Sequence, residues 1–248
     1  DLPQDEWLAY YAQQLPTVEI NNTFYRMPRE HVVQAWHDAV PRHFRFVIKA
    51  SRRITHQSRL KNAEEATGYL VKRAAVLGEK LGAVLFQLPP NMRMDAERLE
   101  TFIALLPNDF PAAFEFRHDS WACEEIDDIL ARHNHTRVVS HDDDSNNRRK
   151  IQLPASDLHY VRLRATSYSP AILKKWHTAL STGANHAKKR QAFVFFKHED
   201  DGYGPVLAKQ FLDLSAKLQT TQTAASRTVK PALRAPRRVP ARPAKKSG

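Results

Sequence analysis

Residues 17–26 read TVEINNTFYR, and the order of side chains in this stretch carries the fold assignment. Val18 and Ile20 belong to one face of an extended chain, while Glu19 and Asn21 belong to the other. A carboxylate is rarely placed among core residues without a partner. Glu19 therefore predicts a strand that buries one face under helices and delivers ionisable groups with the other.

The same alternation recurs. In 44–51, Phe44, Phe46 and Ile48 alternate with Arg45, Val47 and Lys49. In 82–90, Val84, Phe86 and Leu88 alternate with Ala83, Leu85 and Gln87. Phe114 and Phe116 are set against Glu115 and Arg117, and Val161 and Leu163 against Tyr160, Arg162 and Arg164. Each strand has an apolar face and a second face that turns polar toward its carboxyl end. Strand-like runs at 17–26, 44–51, 82–90, 112–121, 136–142, 158–165 and 191–200 are separated by helical patterns near 4–14, 29–39, 62–79, 95–106, 122–134, 170–181 and 205–218. Pro28, Pro170 and Pro205 suit first helical turns. Strand following helix following strand implies parallel pairing with right-handed crossovers. With seven glycines and no G-x-G-x-x-G after a strand, a (β/α) barrel is favoured over an open dinucleotide-binding sheet. In a barrel the carboxyl ends of the strands share one mouth.

Composition bounds the function. The chain has 248 residues and a formal net charge of +11. Eight of those charges lie after Leu218, where there is no acidic residue, which leaves +3 for residues 1–218. The sequence divides into a barrel domain, 1–218, and a Pro/Ala/Arg/Lys-rich tail, 219–248, whose composition predicts disorder and a salt-sensitive contact with nucleic acid or another polyanion. No apolar run approaches the ~20 residues of a membrane span. Cys123 is the only cysteine, so no intrachain disulfide forms, and a reducing, cytoplasmic setting is expected.

Several of these pieces, YYAQQLPTVEINNTFYRMP, FRFVIKASRRITH, LGAVLFQLPP, AAFEFRHDSW, YVRL and FFKHEDDGYGP, resemble the YecE-like family, domain of unknown function 72, in the family's order from about Trp7 to Leu214. The resemblance implies a TIM-like barrel of uncharacterised activity. It also implies an opening strand similar to GTSGW, which is absent here, so a trimmed sequence or a partner covering the gap is expected. RLRA stands where the family has RLHG, placing Arg164 at a histidine position, and the loop SHDDDSNNRRK (140–150) diverges from the family's usual loop.

The candidate site is the mixed-charge set at the strand ends. Glu19 and Glu115 are expected as an acid–base pair, with Lys49 stabilising negative charge. Arg117 and Arg162 suit paired hydrogen bonds to phosphate or carboxylate. Asn21, Tyr25, His56, Gln87, His118, Trp121 and Lys197 complete the expected ligand-binding group, with Tyr25 and Trp121 as stacking surfaces for a sugar or base. The expected ligand is a small anionic or phosphorylated molecule, with no obligatory cofactor. Two alternatives come from other classes. One is a nucleic-acid binder or metal-dependent phosphodiester hydrolase, using His56, His118, His141 and His198 with Glu115, Glu199 and Asp142. The other is a non-catalytic scaffold whose mouth is an internal ion network.

Overall fold

Parallel strands pair in chain order within each of two sheets. The computed structural model describes residues 2–144, 151–182, 191–197 and 202–228. Strands β1 (Thr17–Ile20), β2 (Arg45–Lys49), β3 (Leu81–Gln87), β4 (Ala112–Glu115) and β5 (Thr136–Arg137) form one parallel sheet, and β6 (Val139–His141), β7 (Leu158–Leu163) and β8 (Gln191–Phe196) form a second. The helices are α1 (Trp7–Gln14), α2 (Glu30–Ala39), α3 (Glu64–Ala75), α4 (Ala96–Ile103), α5 (Glu124–Arg132), α6 (Pro170–Thr182) and α7 (Tyr203–Thr228). This is a TIM-like α/β fold, with β1 and β8 as its outer strands.

The stretch 136–142, expected as one strand, divides at Val138. Its first part pairs with β4 and its second with β7, and the Val138 amide donates to the Phe114 carbonyl at 2.9 Å between them. The split lets a single segment join two sheets that curl toward each other. Two other expected strands are also shorter. After Ile20 and after Glu115 the chain turns into 3-10 segments, Asn22–Phe24 and Asp119–Trp121. Thr23 fixes the first turn, its hydroxyl lying 2.7 Å from the carbonyl oxygens of both Ile20 and Lys49.

The alternation of side chains is as the sequence predicts. Phe46, Ile48, Val84, Phe86 and Phe114 pack outward against helix residues such as Leu70, Leu99 and Phe102. Val47, Ala83, Leu85, Ala113 and Tyr160 pack together inside, with Phe193 of β8. On the far side Val161 and Leu163 meet Leu173, Trp176 and Leu207 of α6 and α7. The interior is tightly packed where β3 faces β8. A Cβ on Gly82 would lie 2.4 Å from Cζ of the Phe193 ring, at the register shift between β2 and β3.

Local signals set the helix ends. Asp95 caps α4 by accepting from the Arg98 amide at 3.0 Å, and Glu124, Glu125 and Asp127 place negative charge at the start of α5. The last helix runs to Thr228, past Leu218 where composition places the start of the tail. Residues 229–248 of that tail, 145–150 of the divergent loop, and His198 and Glu199 lie outside the described residues.

Candidate functional site

Glu19, at the inward position of β1, reaches across the interior to β7. There it accepts hydrogen bonds from the Tyr160 hydroxyl and from Arg162 Nη2. The other terminal nitrogen of Arg162 lies 3.3 Å from Glu115 Oε2, which also accepts from Gln87 Nε2 at 2.8 Å. Arg117 Nε stands 3.5 Å from Glu115 Oε1. Four strands thus contribute to one network: β1, β3, β4 and β7. Its centre is buried, with Gln87 and Glu115 each 4% exposed.

Burial alone would oppose the charge on Arg162, but Glu19 and Glu115 outweigh it and hold the guanidinium protonated more firmly than usual. Tyr160 is pushed well above its ordinary range, first by burial and then by the Glu19 charge, so it remains a donor. Both carboxylates are therefore engaged by several donors. The structure brings Glu19 and Glu115 to opposite terminal nitrogens of the same Arg162 guanidinium.

Lys49 ends β2 beside this network and takes a different position. Its ammonium lies 4.6 Å from the centroid of the Phe24 ring and, among the described residues, has no hydrogen bond and no ion pair within 4 Å. Burial lowers its basicity, Arg162 adds to that, and the attraction of Glu19 and Glu115 only partly offsets it. His56, in the π-helical turn Arg53–Gln57, meets the same Phe24 ring edge-on at 5.0 Å, and its Nδ1 is 3.0 Å from the Thr55 hydroxyl. Partial burial and then the charges of Lys49, Arg117 and Arg59 depress its basicity as well. The loop after this turn holds Arg59, Leu60 and Asn62 at positive φ of 49°, 67° and 46°, a costly backbone for non-glycine residues.

The other expected binding residues divide. Tyr25 is 68% exposed at the rim, with the Arg52 guanidinium 5.9 Å from its ring. Asn21 is exposed, and its carbonyl accepts from the Phe24 amide at 3.0 Å. Lys197 is exposed at the end of β8, where its amide donates to the Leu163 carbonyl. His118 caps its own 3-10 turn, Nδ1 accepting from the Ser120 amide at 3.1 Å. Trp121 is no stacking surface. It is 1% exposed, donates through Nε1 to the Met92 carbonyl at 2.8 Å and stacks on Phe116. The turn after β4 rolls that side chain back into the core.

His141 packs against Tyr168 and Trp176 on the helix-covered side, its Nδ1 3.0 Å from the Tyr168 hydroxyl. Among the described residues no group of three His, Cys, Asp or Glu side chains is placed to hold a metal. A concavity of about 260 Å³ lies at the amino ends of β4 and β5 and is lined by Asp109, Arg132, His133 and His135 among others. His135 is 3% exposed and is held down to about 4 by burial, helped by His133. The H-x-H spacing of His133 and His135 is the sequence signal for this feature, and reasoning confined to strand ends passes over it.

A family model described as a protein of unknown function, DUF72, matches residues 1–232. The chain belongs to the DUF72 family. It is 30% identical over 170 residues to the UPF0759 protein YecE of Escherichia coli K12, covering 68% of this chain and 59% of that relative. To the UPF0759 protein YunF of Bacillus subtilis 168 it is 30% identical over 122 residues, 46% of this chain and 43% of YunF. The chain thus spans less than two thirds of the length of these curated relatives. Two crystal structures of DUF72 proteins share the fold. That from Thermotoga maritima MSB8 has a TM-score of 0.70 at 25% identity, covering 86% of this chain and 90% of its own. That from Enterococcus faecalis V583 has 0.69 at 22%, covering 84% and 92%. Among the described residues no helix is long and apolar enough to cross a membrane.

Proposed function

We propose that the mouth of this DUF72 barrel binds a small anionic or phosphorylated ligand, received by Lys49 and Arg117. The observation that carries the reading is a surplus of positive charge. Among the described residues Lys49, Arg117 and Arg162 are set against Glu19 and Glu115, and those two carboxylates are already engaged with Arg162, Tyr160 and Gln87. Arg162 is buried and its two terminal nitrogens are taken by Glu19 and Glu115, so it serves as the floor of the site. Lys49 lacks a direct partner among the described residues, and Arg117, exposed, keeps only a long contact to Glu115. An incoming phosphate supplies the missing acceptors. In this reading Glu19 and Glu115 hold Arg162 in place, and His56, Tyr25 and Arg52 form the wall that the ligand passes.

Titration calorimetry of the full chain with inorganic phosphate at low ionic strength tests this. Loss of one charged hydrogen bond, roughly 1.5–3 kcal/mol, weakens binding about tenfold or more in Arg117→Gln and in Lys49→Ala. Phosphate binding that both substitutions leave unchanged would overturn the reading and point to the basic tail.

A further inference from the structure

The lysine in this mouth has the surroundings of a nucleophile as well as those of a counter-ion. Most charged groups at these strand ends are hydrogen-bonded, yet the Lys49 nitrogen makes no hydrogen bond among the described residues. It sits half-buried on an aromatic ring, with the guanidinium groups of Arg162 and Arg117 disfavouring its charge and the carboxylates of Glu19 and Glu115 offsetting them only in part. Burial against an apolar wall and neighbouring cations are the two conditions that leave a lysine amine unprotonated often enough to attack a carbonyl. A lysine serving only to attract anions would gain from the opposite arrangement, a full charge in contact with water.

We propose that Lys49 is an imine-forming nucleophile, and that the mouth takes an aldehyde or ketone carrying a phosphate or carboxylate. This deepens the anion-binding reading and rests on it: Arg117 holds the anionic group while the carbonyl carbon meets Lys49 Nζ. The ammonium first gives a proton to water or to His56, which flanks the same Phe24 ring. The nitrogen lone pair then forms the C–N bond, the C=O π electrons move to oxygen, and a proton passes from that nitrogen to that oxygen to give the neutral carbinolamine. A second proton reaches the hydroxyl, which leaves as water while the nitrogen forms the double bond. The sum is protonated amine plus carbonyl giving protonated imine plus one water, with no change of oxidation state. His56 suits the proton traffic because burial and the adjacent cations favour its neutral imidazole.

The test is trapping with borohydride. The full chain is incubated with dihydroxyacetone phosphate, reduced with sodium borohydride and mapped by peptide mass spectrometry. A phosphate-blocked adduct dominated by the Lys49 peptide is expected in wild type. Lys49→Arg keeps a positive charge but offers no imine-forming amine, so it is expected to lose the adduct with an unchanged circular dichroism spectrum. Adducts spread over surface lysines without preference for Lys49 would overturn the imine. Phosphate binding with no Lys49 adduct would overturn it too, while leaving the anion-binding reading intact. A Lys49 adduct without measurable phosphate binding would uphold the nucleophile and remove the anion-binding reading.

Discussion

Glu19 and Arg162 lie 143 positions apart in the chain and meet inside the barrel as a buried ion pair, their side chains 8% and 10% exposed. The pair ties β1, an outer strand of the first sheet, to the middle strand of the second. Removing one member leaves the other charge desolvated, which typically costs about 3–5 kcal/mol. Glu19→Ala and Arg162→Met are each expected to lose stability on that scale in urea denaturation, and the double substitution is expected to cost less than the two added together. Additive losses would mean that the two groups do not share one interaction.

Gly82 supplies a second check on the interior. A methyl group there would enter the space of the Phe193 ring, whose Cζ lies 2.4 Å from the position a Cβ would take. Overpacking of this kind costs about 1–3 kcal/mol. Gly82→Ala is expected to lower the urea midpoint accordingly, and adding Phe193→Leu is expected to recover part of the loss. Failure of the second change to recover anything would show that β3 and β8 do not approach so closely.

Much of this interior is legible in the sequence because a strand's period of two converts residue order into direction. The inward placement of Glu19, Gln87, Glu115 and Arg162 follows from alternation alone. Alternation stops where the ladder stops. Tyr25, His118 and Trp121 fall in 3-10 turns or directly beside them, where local capping and core space set direction; hence Trp121 turns inward and Tyr25 outward. Tyr160 was readable as inward-facing, but its role as donor to Glu19 depends on strands meeting across the barrel, which no local pattern records. The Phe24 ring beneath Lys49 is hidden for the same reason, because Thr23 and its two carbonyl contacts fix the turn that carries it.

Trp121 separates core from site experimentally. Trp121→Phe keeps the stacking on Phe116 but loses the bond to the Met92 carbonyl, an expected cost of about 1 kcal/mol. Phosphate affinity is expected to remain at the wild-type level in calorimetry. A marked fall in affinity with unchanged stability would return Trp121 to the binding surface.

His135 makes stability depend on pH. Its folded-state value of about 4 lies below the ordinary 6.5, so between those limits the unfolded chain binds the extra proton. The contribution is fully present above pH 6.5 and is lost as pH falls toward 4, at up to roughly 1.4 kcal/mol per pH unit. His133, beside it, acts in the same direction as burial. Urea midpoints measured from pH 7 to pH 4.5 are expected to fall less steeply in His135→Gln than in wild type. Equal slopes would show that this imidazole titrates normally.

Lys49 is expected to set function against stability. Because burial and Arg162 lower its basicity in the folded chain, the unfolded chain binds the proton more tightly, and carrying the charge at neutral pH destabilises the fold. Glu19 and Glu115 attract it and Arg117 repels it, yet the balance remains unfavourable to the ammonium. Lys49→Met keeps the length and the contact with Phe24 without the charge. It is therefore expected to raise the melting temperature in phosphate-free buffer, while the added stability that phosphate gives wild type disappears. A lowered melting temperature would mean that the ammonium is structural, held by the Phe24 ring, and not held in readiness for a ligand.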